Sequence, residues 1–218
     1  MEKIDLQKTY KDLYNPSAKA VQLVQARAFN FAMIDGAIEP GHGPGDSPAF
    51  QEATQALYSV SYTLKFAVKQ RKENPIDYGV MALEGLWFIE EGVFDIHVKD
   101  NWKYKLMIMQ PEFITQAMFQ DAVSQAKRKH ASPALDRLRL EIFEEGLCVQ
   151  IMHIGPYATE PATVEKMNAC AIQNGYRMSG MHHEIYLGNP LRADPAKLKT
   201  VLRHGVERVV SPQLSVVS

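Results

Sequence analysis

The sequence has no marked excess of positive or negative charge, and it has no long hydrophobic runs. Its 218 residues carry 24 Lys and Arg against 25 Asp and Glu, which gives a formal net charge of −1. A basic surface that would attract nucleic acid or an anionic membrane is therefore not expected. No apolar stretch approaches the ~20 residues that cross a bilayer, and the residues after Met1 do not form a signal peptide. We predict a cytoplasmic protein with neither a nucleic-acid partner nor a membrane partner.

Cysteines and metal-binding patterns are scarce as well. The two cysteines, Cys148 and Cys170, lack metal-ligand spacing and lie in apolar segments, where buried free thiols are typical. His182, His183 and Glu184 are consecutive, and because successive side chains on a strand point in opposite directions, they cannot converge on one ion. The glycine-rich loop before the first long helix lacks the Lys-Ser/Thr pair of a phosphate-binding loop. The sequence therefore predicts no metal and no organic cofactor.

Hydrophobic periodicity predicts a chain in which strands alternate with helices. Apolar residues at steps of three and four, among them Leu57 and Leu64, indicate a helix that begins where Asp46 or Ser47 precedes Pro48. The predicted strands cover residues 20–34, 78–89, 94–99, 103–109, 137–143, 147–154, 182–187 and 198–206, with a hairpin signal at Asp100-Asn101. The three predicted helices begin near Pro48, Pro111 and Glu160 and end near Lys72, Lys129 and Gly175.

The two halves of the chain are similar. Each has a strand, a Gly-Pro loop, a helix entered at a proline and a strand that carries a carboxylate, Glu84 in the first half and Glu184 in the second. We predict an α+β fold in which two pseudo-symmetric strand-helix-strand-strand repeats form a central antiparallel sheet, with helices on one side and a ligand pocket at the pseudo-two-fold axis. A single domain is expected over residues 1–218, with repeats at about 20–110 and about 137–207 and a connecting helix at about 111–130.

The strand that begins at His182 places a carboxylate on a polar and aromatic face. Because alternate side chains of a strand share a face, Glu184 is expected beside His182 and Tyr186. If Glu84 faces Glu184 across an apolar crevice, burial and repulsion raise the pKa of at least one carboxyl, so that one donates a proton while the other directs a water. Tyr157, in a Gly-Pro turn at a strand end, is placed to donate a hydrogen bond to a ligand carbonyl.

These residues give two sets of candidates. The catalytic candidates are Glu184, Tyr157 and Glu84. The ligand-binding candidates are Trp87, Trp102, Tyr104, Tyr186, His182 and Tyr62. Two plainer interpretations stay open: Glu184 on a solvated sheet face, and each aromatic residue packed in the core.

Several segments resemble the GyrI-like small-molecule-binding family. The most specific are the segment 148–157, which ends in Gly-Pro-Tyr, and His182-His183-Glu184-Ile185-Tyr186-Leu187, with support from Leu83-Glu84-Gly85-Leu86-Trp87 and from the segment 198–203. The resemblance extends roughly over residues 20–208. It implies the two-repeat fold and kinship with the drug-binding domains of transcription activators, which hold cationic or aromatic compounds over a buried Glu.

The resemblance also implies roles for individual residues. By position, Glu184 matches the buried pocket Glu of the family, Tyr157 its Gly-Pro-Tyr tyrosine, and Glu84 with Trp87 its first-repeat pair. Stand-alone members similar to this chain hydrolyse DNA-alkylating natural products that bear a cyclopropane. The sequence shows no helix-turn-helix, so an activator role is not expected.

Three functions follow as hypotheses. The first is a cofactor-independent, detoxifying hydrolase that opens the cyclopropane of an electrophilic aromatic compound by acid-base catalysis. The second is a non-catalytic protein that sequesters aromatic or cationic compounds with its carboxylate and aromatic rings. The third is a protein-protein modulator of the gyrase type, for which the family name is the only support.

Overall fold

The computed structural model describes residues 1–92, 94–97, 102–188, 190 and 192–209. The strands among them are β1 (Glu2–Ile4), β2 (Gln22–Ala26), β3 (Phe29–Ala37), β4 (Ile76–Tyr78), β5 (Leu83–Phe88), β6 (Lys103–Gln110), β7 (Arg139–Phe143), β8 (Gly146–Ile154), β9 (Tyr176–Tyr186) and β10 (Lys199–Arg208). The α-helices are α1 (Leu6–Thr9), α2 (Lys11–Tyr14), α3 (Pro48–Lys69), α4 (Gln116–Lys129) and α5 (Glu160–Gln173). None of these helices is long and apolar enough to cross a membrane.

Eight of the described strands form one antiparallel sheet in the order β2-β8-β10-β9-β5-β6-β3-β7, and β1 pairs with β4 apart from it. This order reads the same from either end when β2 is matched with β7, β3 with β8, β5 with β9 and β6 with β10. The predicted α+β class and antiparallel sheet are confirmed. The strands of the two halves of the chain follow the same order within the sheet. Superposition of the halves in space stays a prediction.

The two faces of this sheet are covered by different parts of the chain. Phe50 of α3 stacks on Trp87 of β5 with ring centroids 5.7 Å apart, and Thr163 of α5 bonds to His153 of β8 at 2.9 Å. Both sheet residues point to the same side, which we call the front face. On the opposite side, the back face, the hydroxyl of Tyr14 at the end of α2 reaches the sheet. The long helices α3 and α5 thus share one face as predicted, and the N-terminal helices cover the other.

Helix α3 forms where its local signals predict. Ser47 caps it by accepting a hydrogen bond from the backbone N–H of Phe50 at 3.1 Å, and Pro48 occupies its first turn. Its buried stripe includes Leu57 and Leu64, both enclosed by the main hydrophobic core. The stripe holds the helix against the front face of the sheet.

Several predicted boundaries are wrong. The strand predicted at 20–34 is two strands, because β2 pairs with β8 near one end of the sheet while β3 pairs with β6 and β7 at the other. Continuous hydrophobic alternation across the break gave no sign of this change of partner. Of the strand predicted at 78–89, only β5 (residues 83–88) belongs to the main sheet; Tyr78 instead ends β4, which pairs with β1 outside that sheet. Helix α4 begins at Gln116, after a turn at Pro111, because Thr115 caps it.

The strand predicted at 94–99 is also wrong over residues 94–97, the part of it that the structure describes. Residues 94–97 form no strand. The rest of that strand and the predicted hairpin at Asp100-Asn101 lie outside the described residues.

Leu57→Ala is expected to lower the free energy of unfolding by ~2–5 kcal/mol, because it removes buried apolar area and leaves a cavity. Leu57 is fully buried on α3. Urea unfolding measures the change, with Gln55→Ala on the exposed side of the same helix as the control, expected within ~0.5 kcal/mol of wild type. Equal losses in both variants would contradict the assignment of the buried stripe.

Candidate functional site

The register at the centre of the sheet separates Glu84 from Glu184. In the β5–β9 pair, Gly85 lies opposite Glu184 and Glu84 lies opposite Ile185. Directly opposite residues share a face and successive residues alternate, so Glu184 points to the front and Glu84 to the back. The prediction that these carboxylates face each other across one crevice is wrong. A sequence cannot set the register between strands of different halves, and a shift of one residue exchanges the faces.

Glu184 lies on the front face beside a hydrogen-bonded pair of aromatic side chains. The indole Nε1 of Trp87 donates to the hydroxyl of Tyr186 at 2.9 Å, and Glu184, which is 6% exposed, lies close enough for its charge to act on that hydroxyl. Burial, with the charge of Glu184, raises the pKa of Tyr186 well above 10, so its hydroxyl stays protonated beside the carboxylate.

Gly85 provides the space for the hydrogen bond between Trp87 and Tyr186. A Cβ at this position would lie 3.0 Å from Nε1 of Trp87 and 3.2 Å from the hydroxyl oxygen of Tyr186. Those distances are shorter than ordinary contacts, so a larger residue would push the two side chains apart. A residue without a side chain opposite Glu184 is thus part of the site.

Tyr157 approaches the same carboxylate from the start of α5. It follows Gly155 and Pro156, and its ring meets the ring of Tyr186 edge-on with centroids 5.9 Å apart. Burial, followed by the charges of Glu184 and Glu160, raises the pKa of Tyr157 to about 12. At neutral pH the hydroxyl is therefore protonated, so it can donate a hydrogen bond and does not act as a base.

Glu160 is a residue of this site that the sequence interpretation missed. It is buried in the first turn of α5, and its charge acts on both Tyr157 and Tyr186. A Glu before a proline was interpreted only as a helix start, since acidic residues are common there. Glu160, and not the predicted Glu84, is therefore a second carboxylate close to Tyr157 and Tyr186.

His182 borders Glu184 on the side away from Tyr186. Its Nε2 lies 3.2 Å from Oε1 of Glu184, in an orientation that does not make a hydrogen bond. The ring stacks with Phe94 at 5.8 Å and lies 6.1 Å from the ring of His204. Burial, with the nearby His182, lowers the pKa of His204, so that ring is neutral at neutral pH. His182 is thus enclosed between a carboxylate and two rings.

Comparison with known proteins identifies the family of this chain. The GyrI-like small molecule binding domain matches residues 87–204, more than half of the sequence. The chain belongs to the GyrI-like family. An uncharacterized conserved protein from Listeria innocua is 36% identical to it with a TM-score of 0.84, and the match covers 94% of this chain and 100% of that one.

Two further similar structures from Listeria innocua are described as hydrolases. They are 33% and 34% identical to this GyrI-like chain, with TM-scores of 0.79 and 0.81. Each match covers 94% of this chain and 100% of the other. No curated protein matches the chain significantly. Membership of the family makes this protein a binder of small molecules.

The other predicted ligand-binding aromatics of the GyrI-like chain lie at different depths. Trp87, Trp102 and Tyr104 are buried and contact one another's rings or Phe50, so they support the site from within the core. Tyr62 is 48% exposed on α3, and the ring contacts found for it are with Tyr58 and Phe66. Of the predicted set, Tyr186 and His182 adjoin Glu184.

Gly36→Ala is expected to destabilise the fold by ~1–3 kcal/mol through overpacking. Gly36 lies opposite Tyr104, and a Cβ there would come within 2.3 Å of the buried tyrosine ring. Urea unfolding of Gly36→Ala, Tyr104→Leu and the double variant checks the cause. The double variant should lose less than the sum of the single variants, because the smaller side chain removes the clash. Additive losses would show that the clash is not what destabilises Gly36→Ala.

Glu84 lies in a different environment, on the back face. It is fully buried, accepts a hydrogen bond from the hydroxyl of Tyr14 at 2.6 Å, and lies 3.0 Å from Nε2 of His183. Within the described part of the chain, no three His, Cys, Asp or Glu side chains are placed to hold a metal ion. Glu84 thus belongs to a buried hydrogen-bonded group that is separate from the front site.

Proposed function

We propose that this GyrI-like protein is a hydrolase that opens the cyclopropane ring of small, electrophilic aromatic compounds without a cofactor. The observation that carries the proposal is the buried carboxylate of Glu184 beside two neighbouring tyrosines, Tyr186 and Tyr157, whose rings contact each other and whose hydroxyls both feel its charge. A buried carboxylate beside a neutral hydroxyl is the pair that acid-base hydrolysis requires. The similar proteins from Listeria innocua that are described as hydrolases also support it.

The proposed reaction joins a water to a cyclopropane that is conjugated with a ketone. Glu184 accepts a proton from the water, and the water oxygen forms a bond to a cyclopropane carbon as the ring C–C bond breaks. The electron pair of that bond moves through the conjugated system to the carbonyl oxygen, where the hydroxyl of Tyr157 donates a hydrogen bond to the developing charge. The oxygen then takes up a proton, so the product equals the substrate plus one water.

The remaining front residues have positioning roles in this proposal. Trp87 orients the hydroxyl of Tyr186, which lies beside Glu184. Because Glu184 is nearly enclosed, an aromatic substrate has to displace side chains at the front of the site. Partly exposed rings there include Phe50, Tyr58, Phe94, Tyr157 and Tyr186.

A non-catalytic sequestering protein is the second candidate function. The same arrangement favours it, because a buried carboxylate among aromatic rings also attracts an aromatic cation. In that case Glu184 would act as a charge anchor, and the hydroxyl of Tyr157 would have no chemical role.

Incubation with a cyclopropane-bearing alkylating compound separates the two functions. The hydrolase converts the compound to a product heavier by one water, at a rate that rises in proportion to protein concentration. A sequestering protein returns the compound unchanged after denaturation, and this result would overturn the hydrolase proposal. Mass spectrometry of the extracted compound gives the answer, with heat-denatured protein as the control.

A further inference from the structure

The back face carries a group of buried ionisable side chains that the proposed reaction does not use. We call it the back-face cluster; its members are Tyr14, Glu84, Glu145, His183 and Arg203. Four of them are buried, and the side chain of Glu145 is 9% exposed. Burying so many charges is costly unless they are paired, so the pairing within the cluster determines its stability.

His183 is held between two carboxylates. Its Nε2 lies 3.0 Å from Oε2 of Glu84, and its Nδ1 lies 2.8 Å from Oε2 of Glu145. A neutral imidazole has one N–H and can donate to only one of these carboxylates, whereas a protonated ring donates to both. With Arg203 3.6 Å from Glu145, a protonated His183 gives the cluster two positive and two negative charges.

The N-terminal arm, residues 11–17, is fastened to the sheet through this cluster. The hydroxyl of Tyr14 donates to Glu84 at 2.6 Å, and Arg203 donates to the backbone carbonyl of Leu13 at 2.8 Å. Gln150 donates to the carbonyl of Asp12 at 2.6 Å, and Arg203 in turn donates to the side-chain oxygen of Gln150 at 3.1 Å. Glu84 and Arg203, two of the charged members of the back-face cluster, therefore also hold the arm.

We propose that His183 is the centre of a charge-dependent latch, which fastens the N-terminal arm to the back face while the ring is protonated and releases it when the proton is lost. Loss of the proton leaves two buried carboxylates facing one N–H, with one negative charge uncompensated. Movement of the arm away from the sheet would expose Glu84 and His183 to water, which relieves that charge. The latch acts on the back of β9 and does not depend on the proposed hydrolysis.

The other ionisable groups facing His183 do not titrate in the alkaline range. Burial and the charge of Glu84 raise the pKa of Tyr14 well above 10. Burial and the charge of Glu145 raise the pKa of the nearby Cys148 thiol. On the front face, opposite His182, the pKa of His204 is lowered, so this ring is also neutral in the alkaline range. Arg27, a permanent positive charge, lines a small cavity beside the cluster.

The sign of the pH dependence follows from two opposite shifts. Burial lowers the pKa of His183, but the charge and hydrogen bonds of its carboxylate partners outweigh this and raise it above 6.5. Burial raises the pKa of Glu145, but His183 and Arg203 outweigh this and lower it. A raised histidine pKa stabilises the fold below the unfolded value and loses this effect as pH rises through the folded value. The latch therefore opens on the alkaline side.

Amide hydrogen exchange of the full chain, read by mass spectrometry, tests the latch. The opening constant of the arm should rise about ten-fold per pH unit between the ordinary pKa of a histidine, which His183 has once the arm is open, and its raised pKa in the closed state, because one proton is lost on opening in that range; above it the opening constant should level off. Exchange is measured from about pH 6 to about pH 9.5, corrected for the intrinsic pH dependence, with β6 as the internal reference. An arm whose protection stays constant, or changes only in parallel with β6, would overturn the proposal.

Variants assign the pH dependence to His183. In His183→Gln, the backbone amides of the arm should exchange rapidly at every pH, with no pH-dependent step. Glu145→Gln, which keeps the ring but removes one partner, should move the step to lower pH. His130→Gln, at an exposed position at the end of α4, is the control and should keep the wild-type profile. A wild-type profile in either cluster variant would show that His183 is not the titrating group, and Glu145→Gln decides this if His183→Gln does not fold.

Discussion

Glu184→Gln is expected to lower kcat for cyclopropane opening by ~10²-fold or more while the substrate still binds. The amide retains the size and shape of the carboxylate but cannot accept a proton from water. Tyr157→Phe should likewise act mainly on kcat, because its hydrogen bond strengthens only as charge develops on the carbonyl oxygen. Steady-state kinetics measure kcat, and direct binding of a cationic aromatic dye measures affinity, so the two effects can be separated.

Two control variants test whether these losses are specific. Glu207→Gln, exposed at the end of β10, and Tyr176→Phe, at the far end of β9, make the same chemical changes away from the site and should keep wild-type kcat. A Glu184→Gln variant that loses dye binding yet opens the ring at the wild-type rate would contradict the catalytic role. The carboxylate would then be a cation anchor, as in the sequestering function.

Arg203→Leu is expected to lower the free energy of unfolding by ~3–5 kcal/mol, the cost of removing one partner from a buried charge group. It leaves Glu145 with His183 alone and removes the donors to Gln150 and to the carbonyl of Leu13. Urea unfolding near neutral pH measures the loss. Arg177→Leu is the matched control, because the Arg177–Glu207 pair is exposed and should contribute ~1 kcal/mol or less.

Glu84→Gln extends this comparison to activity. We expect it to destabilise the fold through the same cluster and to leave kcat close to wild type, because its side chain points away from Glu184. If Glu84→Gln reduced kcat as strongly as Glu184→Gln in a folded protein, the separation of the two faces by function would be wrong. A stable Arg203→Leu protein would in turn show that the cluster does not hold the fold together.

Local signals in the sequence were sufficient for part of the fold. Helix α3 could be predicted because its cap, its proline and its apolar stripe lie within one segment. The strand of Glu184 could be placed with His182 and Tyr186 on one face because side-chain alternation is a property of the strand itself. The same strand supplied part of the motif that resembles the GyrI-like family.

Contacts between distant segments could not be predicted in the same way. The register of β5 against β9 depends on how both halves pack, and it decides that Glu84 points to the back. Glu145 lies between two predicted strands and Tyr14 precedes the first predicted strand, and nothing local indicates that Glu145 meets His183 or that Tyr14 meets Glu84. Glu160 was missed because a helix start was sufficient to explain it.

The catalytic roles of Glu184 and Tyr157 can be tested with a structure that contains a bound, unreactive analogue of a cyclopropane-bearing substrate. We expect the analogue on the front face, with its reactive carbon toward the carboxylate of Glu184 and its carbonyl oxygen within hydrogen-bonding distance of the Tyr157 hydroxyl. The partly exposed ring of Phe50 or Phe94 should be displaced to admit it. An analogue bound on the back face beside Glu84 and His183 would contradict the assignment of Glu184 and Tyr157 to the reaction.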